Sequence, residues 1–148
     1  MLLQISIGSV MMLITVFLSG LSVMSFAAFF SRTSHWLVRP PHSPKLIVVI
    51  MAVSLWALAV TTADVWVWAL TLRSLDAFTS MEEAVYFSLV SYTTLGYGDV
   101  LLPHEWRILG GMAAANGTLN IGLMTAFMVE ALRQIRIRQL ETAADSGD

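Results

Sequence analysis

Seven consecutive residues, Thr93-Thr94-Leu95-Gly96-Tyr97-Gly98-Asp99, concentrate the chemistry of this 148-residue chain. Two glycines at alternate positions let the backbone enter left-handed conformations that other residues resist. Alternating left- and right-handed residues aim successive carbonyls to one side, which stacks them into a column of oxygens. The Thr94 hydroxyl extends the column by one oxygen. Such a column suits a hard monovalent cation stripped of water, because the oxygens stand in for its hydration shell. Leu95 is the one aliphatic side chain in the segment, so the loop is not built to dissolve in lipid. Irregular backbone at membrane depth is tolerated only where it is buried in protein or lines a water-filled path.

The rest of the chain places that loop in a membrane. Hydrophobic residues make up 57% and charged residues 12%, against about 45–50% and about 25% in soluble domains. This excludes a disordered chain and argues against a water-soluble globule. The absence of cysteine excludes disulfides, thiolate metal sites and cysteine nucleophiles. A net charge of −2 offers no basic face to a nucleic acid. The length fits one domain.

Three apolar runs are long enough to cross a bilayer. Residues 1–31 carry no charge, residues 46–72 are interrupted only by Asp64, and residues 108–129 are again uncharged. At about 1.5 Å of rise per residue each spans a hydrocarbon core of about 30 Å. The first run lacks the basic start of a cleaved signal peptide and is too long for one, so it reads as a helix. Basic residues set the orientation. Arg32, Arg39, Lys45, Arg133, Arg136 and Arg138 flank one side of the runs, while only Arg73 and Arg107 lie on the other. Residues 32–45 and the C-terminus are therefore expected in the cytoplasm and the N-terminus outside. Trp66, Trp68 and Trp106 fall where an outer aromatic belt is expected. Pro40, Pro41 and Pro44 predict an extended linker over 32–45. The segment 133–148 reads as a short tail, frayed after Leu140.

Between the second and third runs, residues 81–92 are apolar but too short to span, as expected of a re-entrant helix. Ser80 and Glu83 have the spacing of a capping box at its start, and Glu82 and Glu83 suit a helix N-terminus. The negative end of this helix points toward the 93–99 loop.

Residues 94–99 (TLGYGD), set between two spanning helices and after a short capped helix, resemble the selectivity filter of the potassium channel family. The resemblance covers about residues 46–132 and implies an outer helix at 46–72, a pore helix at 81–92, a filter at 93–99 and an inner helix at 106–132. The implied fold is an all-α membrane protein in which three transmembrane helices and a re-entrant pore helix form a homotetrameric pore. The first helix, 1–31, is an addition expected to pack on the outside of the outer helix. One chain supplies one loop and the family uses four, so self-association is implied.

By the same resemblance the carbonyls of Thr94, Leu95, Gly96 and Tyr97 coordinate K⁺, with Gly98 completing the filter and Asp99 at the outer mouth. The Tyr97 side chain points away from the pore and packs near Tyr86 and Phe87, which with Val90 and Thr93 support the filter. Gly117 corresponds to a hinge glycine of the inner helix, or to plain close packing. Thr118, Ile121 and Thr125 face a water-filled cavity. Two departures stand out. Leu95 occupies a position where Val or Ile is usual and lacks their β-branch. Val90 stands where some small prokaryotic members carry a Glu paired with the filter aspartate. No cofactor is implied, K⁺ being the permeant ion.

Other residues have two readings each. Glu130 forms an acidic ring in an assembly or pairs with Arg133. Asp64 is a hydrogen-bonded carboxyl contacting the first helix or the pore helix, or handles ions directly. Asn116 and Asn120 line the cavity or bond across helices. Gly110 to Ala115 provide small-residue packing or gating. His104 and Glu105 are a solvated pair or an external pH sensor. Thr15, Ser19 and Ser22 share a face suited to helix contact. The first helix has no row of spaced arginines, so voltage sensing of the usual kind is not expected.

The function expected is passive, K⁺-selective conduction. The alternatives are a weakly selective cation channel, or a regulatory pore subunit that does not conduct alone. A membrane enzyme or scaffold is disfavoured by the lack of cysteines, of an intramembrane His/Asp/Glu cluster and of a phosphate-loop lysine. The expected surroundings are lipid, in a bacterial inner membrane.

Overall fold

The computed structural model describes residues 1–37 and 42–145, with side chains over 1–28, 47–134, 136 and 137. Four helices occur in order: α1 (Leu2–Leu37), α2 (His42–Ser74), α3 (Met81–Tyr92) and α4 (Arg107–Asp145). A 3-10 turn over His104–Trp106 leads into α4. There is no strand among the described residues. Three helices contain stretches long and apolar enough to cross a membrane, Leu2–Ala28, Ile47–Ser74 and His104–Gln134. The fold is all-α, and the protein is a multi-pass membrane protein.

Local chemistry sets the helix ends. The Ser80 Oγ accepts from the Glu83 N–H at 3.1 Å and opens α3. Half of the capping box is made, because the Glu83 carboxylate accepts from the Thr79 hydroxyl at 3.4 Å instead of returning to Ser80. The end of α2 closes in a Schellman pattern. The Ala77 N–H bonds the Leu72 carbonyl at 3.1 Å and the Asp76 N–H bonds the Arg73 carbonyl at 3.2 Å. Asp76 takes the left-handed position (φ 51°) where glycine is usual, and its carboxylate accepts from Arg73 at 3.2 Å. Hydroxyls within the spans fold back on their own helices, as Ser6 does on Leu2 O (3.0 Å) and Ser25 on Leu21 O (2.8 Å). Hydrocarbon offers them no other partner.

The main core gathers Val65, Trp68, Ala69 and Leu72 of α2 with Ala84 and Tyr92 of α3 and Leu109 and Ala113 of α4. A second cluster, at the opposite end of α2, packs Val49 and Val53 against Phe26, Met128 and Leu132. Near it the rings of Phe26, Trp56 and Phe127 stack, with centroids 5.0 Å apart for Phe26–Trp56 and 5.2 Å for Trp56–Phe127.

Four expectations differ from this structure. The 32–45 stretch is helical up to Leu37 and again from His42. Pro44 sits in the first turn of α2, where a missing N–H costs nothing, and Pro40 and Pro41 lie outside the described residues. Past residue 132, α4 continues to Asp145. The run from Gln139 to Ala144 contains good helix formers and no breaker. Trp68 is no belt residue, since it is fully buried beneath α3, whereas Trp66 is 45% exposed.

The fourth difference concerns α1, which packs against the inner helix α4 as well as α2. The Gln4 side-chain oxygen accepts from the Ile108 N–H at 3.1 Å, a first-turn amide with no partner in its own helix. Gly8 admits the Met112 thioether, and Thr15 accepts from the Asn116 amide at 2.7 Å. On the α2 side, Trp56 donates to Ser22 at 2.8 Å. Thr71 donates to the Met11 sulfur at 3.0 Å.

Candidate functional site

The 93–99 loop starts where α3 stops. Thr93 caps the helix, its N–H bonding the Leu89 carbonyl at 3.0 Å, and its hydroxyl bonds the same carbonyl at 2.8 Å. Thr93 therefore supports the loop by closing the helix end. The Thr94 N–H reaches the Ser91 carbonyl at 2.9 Å, and the N–H groups of Leu95 and Gly96 share the Val90 carbonyl at 3.0 and 3.2 Å. Val90 thus acts through its backbone oxygen, a role its side-chain type does not reveal.

Beyond this anchor the backbone alternates. Thr94 (φ 60°), Gly96 (φ 56°) and Gly98 (φ 76°) are left-handed, and Leu95 and Tyr97 between them are not. Glycine takes this conformation freely. Thr94 is β-branched and pays about 1–3 kcal/mol for it, strain that persists only where neighbouring bonds hold it. A Cβ added at Gly96 or Gly98 would meet nothing within 4 Å, so these two glycines answer to conformation and not to crowding within the chain.

The loop lies on the surface of the single chain, with Leu95 56% and Tyr97 70% exposed. Tyr97 is expected near Tyr86 and Phe87, and it is close enough to Tyr86 to act on its phenol electrostatically. Tyr86 and Phe87, with Val90, Gly96, Gly98 and Asp99, line a pocket of about 170 Å³ behind the loop, and Tyr97 stands outside it. Phe87 pairs with Phe78 at 5.3 Å between centroids and abuts Gly110.

Asp99 closes the far end. Its carboxylate accepts from the Tyr86 hydroxyl at 2.6 Å and from the Val100 N–H at 3.1 Å. The Tyr86 bond holds the Asp99 carboxyl below its usual range, and the same bond holds the Tyr86 phenol above its own. With Val90 in place of an acid, the tie behind the loop is a phenol–carboxylate bond. Sequence reading missed it, although a Tyr thirteen residues ahead of the Asp, on a helix leading into the loop, was its available signal.

The inner-helix residues separate into two faces. Gly117 is buried, and a Cβ there would overlap the Tyr92 carbonyl at the end of α3. Its observed role is close approach. Thr118, Ile121 and Thr125 are exposed on the other face, and both hydroxyls return to their own helix at Ala114 O (3.0 Å) and Ile121 O (2.8 Å). Asn116 and Asn120 are buried and bond across and along helices. Asn116 donates to Thr15 at 2.7 Å, and Asn120 donates to Asn116 at 3.3 Å. Glu130 takes the paired alternative, accepting from Arg133 at 2.9 and 3.0 Å and from Gln134 at 3.0 Å. Asp64 is a hydrogen-bonded carboxyl touching both the first helix and the pore helix. It accepts from Tyr92 at 2.8 Å and from Ser19 at 3.2 Å. His104 and Glu105 form no ion pair among the described residues.

No cluster of three or more His, Asp or Glu side chains that could hold a metal occurs among the described residues. The backbone of the 93–99 loop alternates in hand at Thr94, Gly96 and Gly98.

Comparison with known proteins bears on the family. The potassium voltage-gated channel protein shk-1 of Caenorhabditis elegans is 31% identical over a 77-residue alignment that covers 48% of this chain and 14% of that protein. The chain therefore matches only a small part of that relative's length. No solved structure gives a significant match. A family model described as "Ion channel" matches residues 48–134, from the start of the second span through the loop to the end of the third. Since that match takes in more than half of the residues, this chain belongs to the ion channel family, as its resemblance to the potassium channels implied.

Proposed function

We propose that this protein is the subunit of a K⁺-selective channel in which four copies bring their 93–99 loops together on one axis. The observation that carries the reading is the left-handed alternation at Thr94, Gly96 and Gly98 in an exposed loop at the negative end of α3. Such alternation is what a loop needs in order to aim the carbonyls of Thr94, Leu95, Gly96 and Tyr97 to one side, where rings of oxygens from four copies would replace the water shell of K⁺. The exposed face of α4 bearing Thr118, Ile121 and Thr125 then lines the cavity on the inner side. Exposure of the Leu95 and Tyr97 side chains in the single chain also supports assembly, because neighbouring copies are what would cover them. The loops rich in Arg and Lys face the cytoplasm and the 93–99 loop opens outside, in a cell membrane.

Purified protein in K⁺-loaded liposomes tests this. Barium-sensitive K⁺ flux, with a reversal potential that follows K⁺ alone in mixed K⁺/Na⁺, is the expected result. A second reading, a weakly selective cation channel or a subunit that does not conduct alone, is favoured by one feature. Leu95 lacks the β-branch that would stiffen the loop. A reversal potential that follows K⁺ and Na⁺ together supports weak selectivity, and silent liposomes support the non-conducting subunit.

A further inference from the structure

Six polar side chains meet in the membrane interior and join all four helices. Thr15 and Ser19 lie one turn apart on α1. Thr15 holds Asn116 of α4, Asn116 holds Asn120, the Asn120 side chain lies beside the Tyr92 hydroxyl of α3, Tyr92 donates to Asp64 of α2, and Asp64 accepts from Ser19. The chain of contacts returns to α1, the helix where it began. All six are buried, with Asp64 1% exposed. Asp64 has no basic partner among the described residues, its bonds being two hydroxyls on one oxygen. A carboxyl buried this way costs more than an apolar residue of the same shape, and intramembrane acids usually mark a function.

The partner of Asp64 indicates what that function is. Tyr92 is the last residue of α3, fully buried, with its carbonyl pressed on Gly117. Thr93 and Thr94 follow it directly, and the loop amides hang from Val90 two residues before it. Fixing the Tyr92 ring therefore fixes the inner end of the cation loop. We propose that Asp64 is a positioning residue for the filter, acting through the Tyr92 hydroxyl, and that Ser19 and Thr15 make α1 a working part of the pore. The inference rests on the channel reading and extends it. Selectivity depends on holding loop oxygens at one radius, and here Asp64 of the outer helix makes the hold while α1, outside the two-helix pore, holds Asp64 through Ser19.

The test uses the full chain in lipid, with two readouts. One is hydrogen–deuterium exchange at residues 93–98, which needs no conduction. The other is the K⁺/Na⁺ permeability ratio from reversal potentials. Tyr92→Phe and Asp64→Leu are each expected to speed exchange about tenfold, the worth of one buried hydrogen bond, and to lower the permeability ratio. The double variant is expected to go no further than the worse single one, because both break the same bond. Asp64→Asn keeps an oxygen for both hydroxyls and is expected to restore both readouts. Trp56→Phe breaks the α1–α2 bond to Ser22 away from the loop, and is expected to lower thermal stability without changing exchange at 93–98. If Asp64→Leu gives no folded protein, Tyr92→Phe decides alone, since it removes one oxygen. Unchanged exchange in folded Tyr92→Phe, or additive effects in the double variant, overturns the proposal. A wild-type protein that carries no K⁺ overturns the channel reading instead, and leaves the exchange comparison to judge the brace.

Discussion

Gly117 of α4 rests against the carbonyl of Tyr92, the last residue of α3, so closely that a single methyl group would overlap the oxygen. Backbone cannot give way as a flexible side chain can. The inner helix therefore crosses the end of the pore helix at the one residue type that permits the crossing. Contact with the pore helix accounts for this glycine without a hinge.

Opposite responses at two glycines of one helix follow. Gly117→Ala is expected to destabilise the protein by about 3 kcal/mol, the upper end of overpacking. Gly111 meets nothing within 4 Å, so Gly111→Ala is expected to raise stability by up to about 1 kcal/mol through helix propensity. Thermal unfolding in one detergent compares them. Equal stability for Gly117→Ala and wild type, with altered opening, would return the hinge reading.

The Tyr86–Asp99 bond makes a prediction about pH. Folding lowers the Asp99 pKa below its ordinary 3.8, so its contribution is present above 3.8 and is lost as pH falls through the lowered value. Folding raises the Tyr86 pKa above its ordinary 10.0, so its contribution is present below 10.0 and is lost as pH rises through the raised value. The bond thus survives from below pH 3.8 to above pH 10.0. Tyr86→Phe is expected to bring the Asp99 titration back up toward 3.8. Carboxylate carbon shifts of labelled protein in lipid discs follow it. The same Asp99 titration in both proteins would show that the tie has no electrostatic effect.

At Gly98 a Cβ has room but the backbone has the wrong hand, with φ at 76°. Gly98→Ala is expected to cost the loop about 1–2 kcal/mol while leaving the helices intact. Circular dichroism should match wild type, and liposome K⁺ flux should vanish. Flux at the wild-type level would mean that the left-handed residue does not shape the conducting loop.

Glu130 is already held by Arg133 and Gln134 on the surface of α4. Exposed pairs of this kind add little to stability. Glu130→Gln is expected to leave both the unfolding temperature and the K⁺ conductance near wild type. A clear fall in conductance would favour the acidic ring over the pair.

Sequence alone was enough for whatever depends on neighbours in the chain. Apolar runs of bilayer length mark the spans, Ser80 and Glu83 mark the start of α3, and Gly96 and Gly98 mark a loop of alternating hand, because a missing Cβ acts locally wherever the chain goes. Partners were another matter. A helix that is apolar nearly all round carries no mark of which face meets protein and which meets lipid. Sequence therefore placed Trp68 in an aromatic belt and α1 outside the outer helix, whereas packing buries the first under α3 and sets the second against α4. The bonds of Asp64 to Tyr92 and Ser19 join residues 28 and 45 positions apart. Only the tertiary structure could choose them, because in lipid a buried polar group takes whichever partner the helix crossings bring within reach.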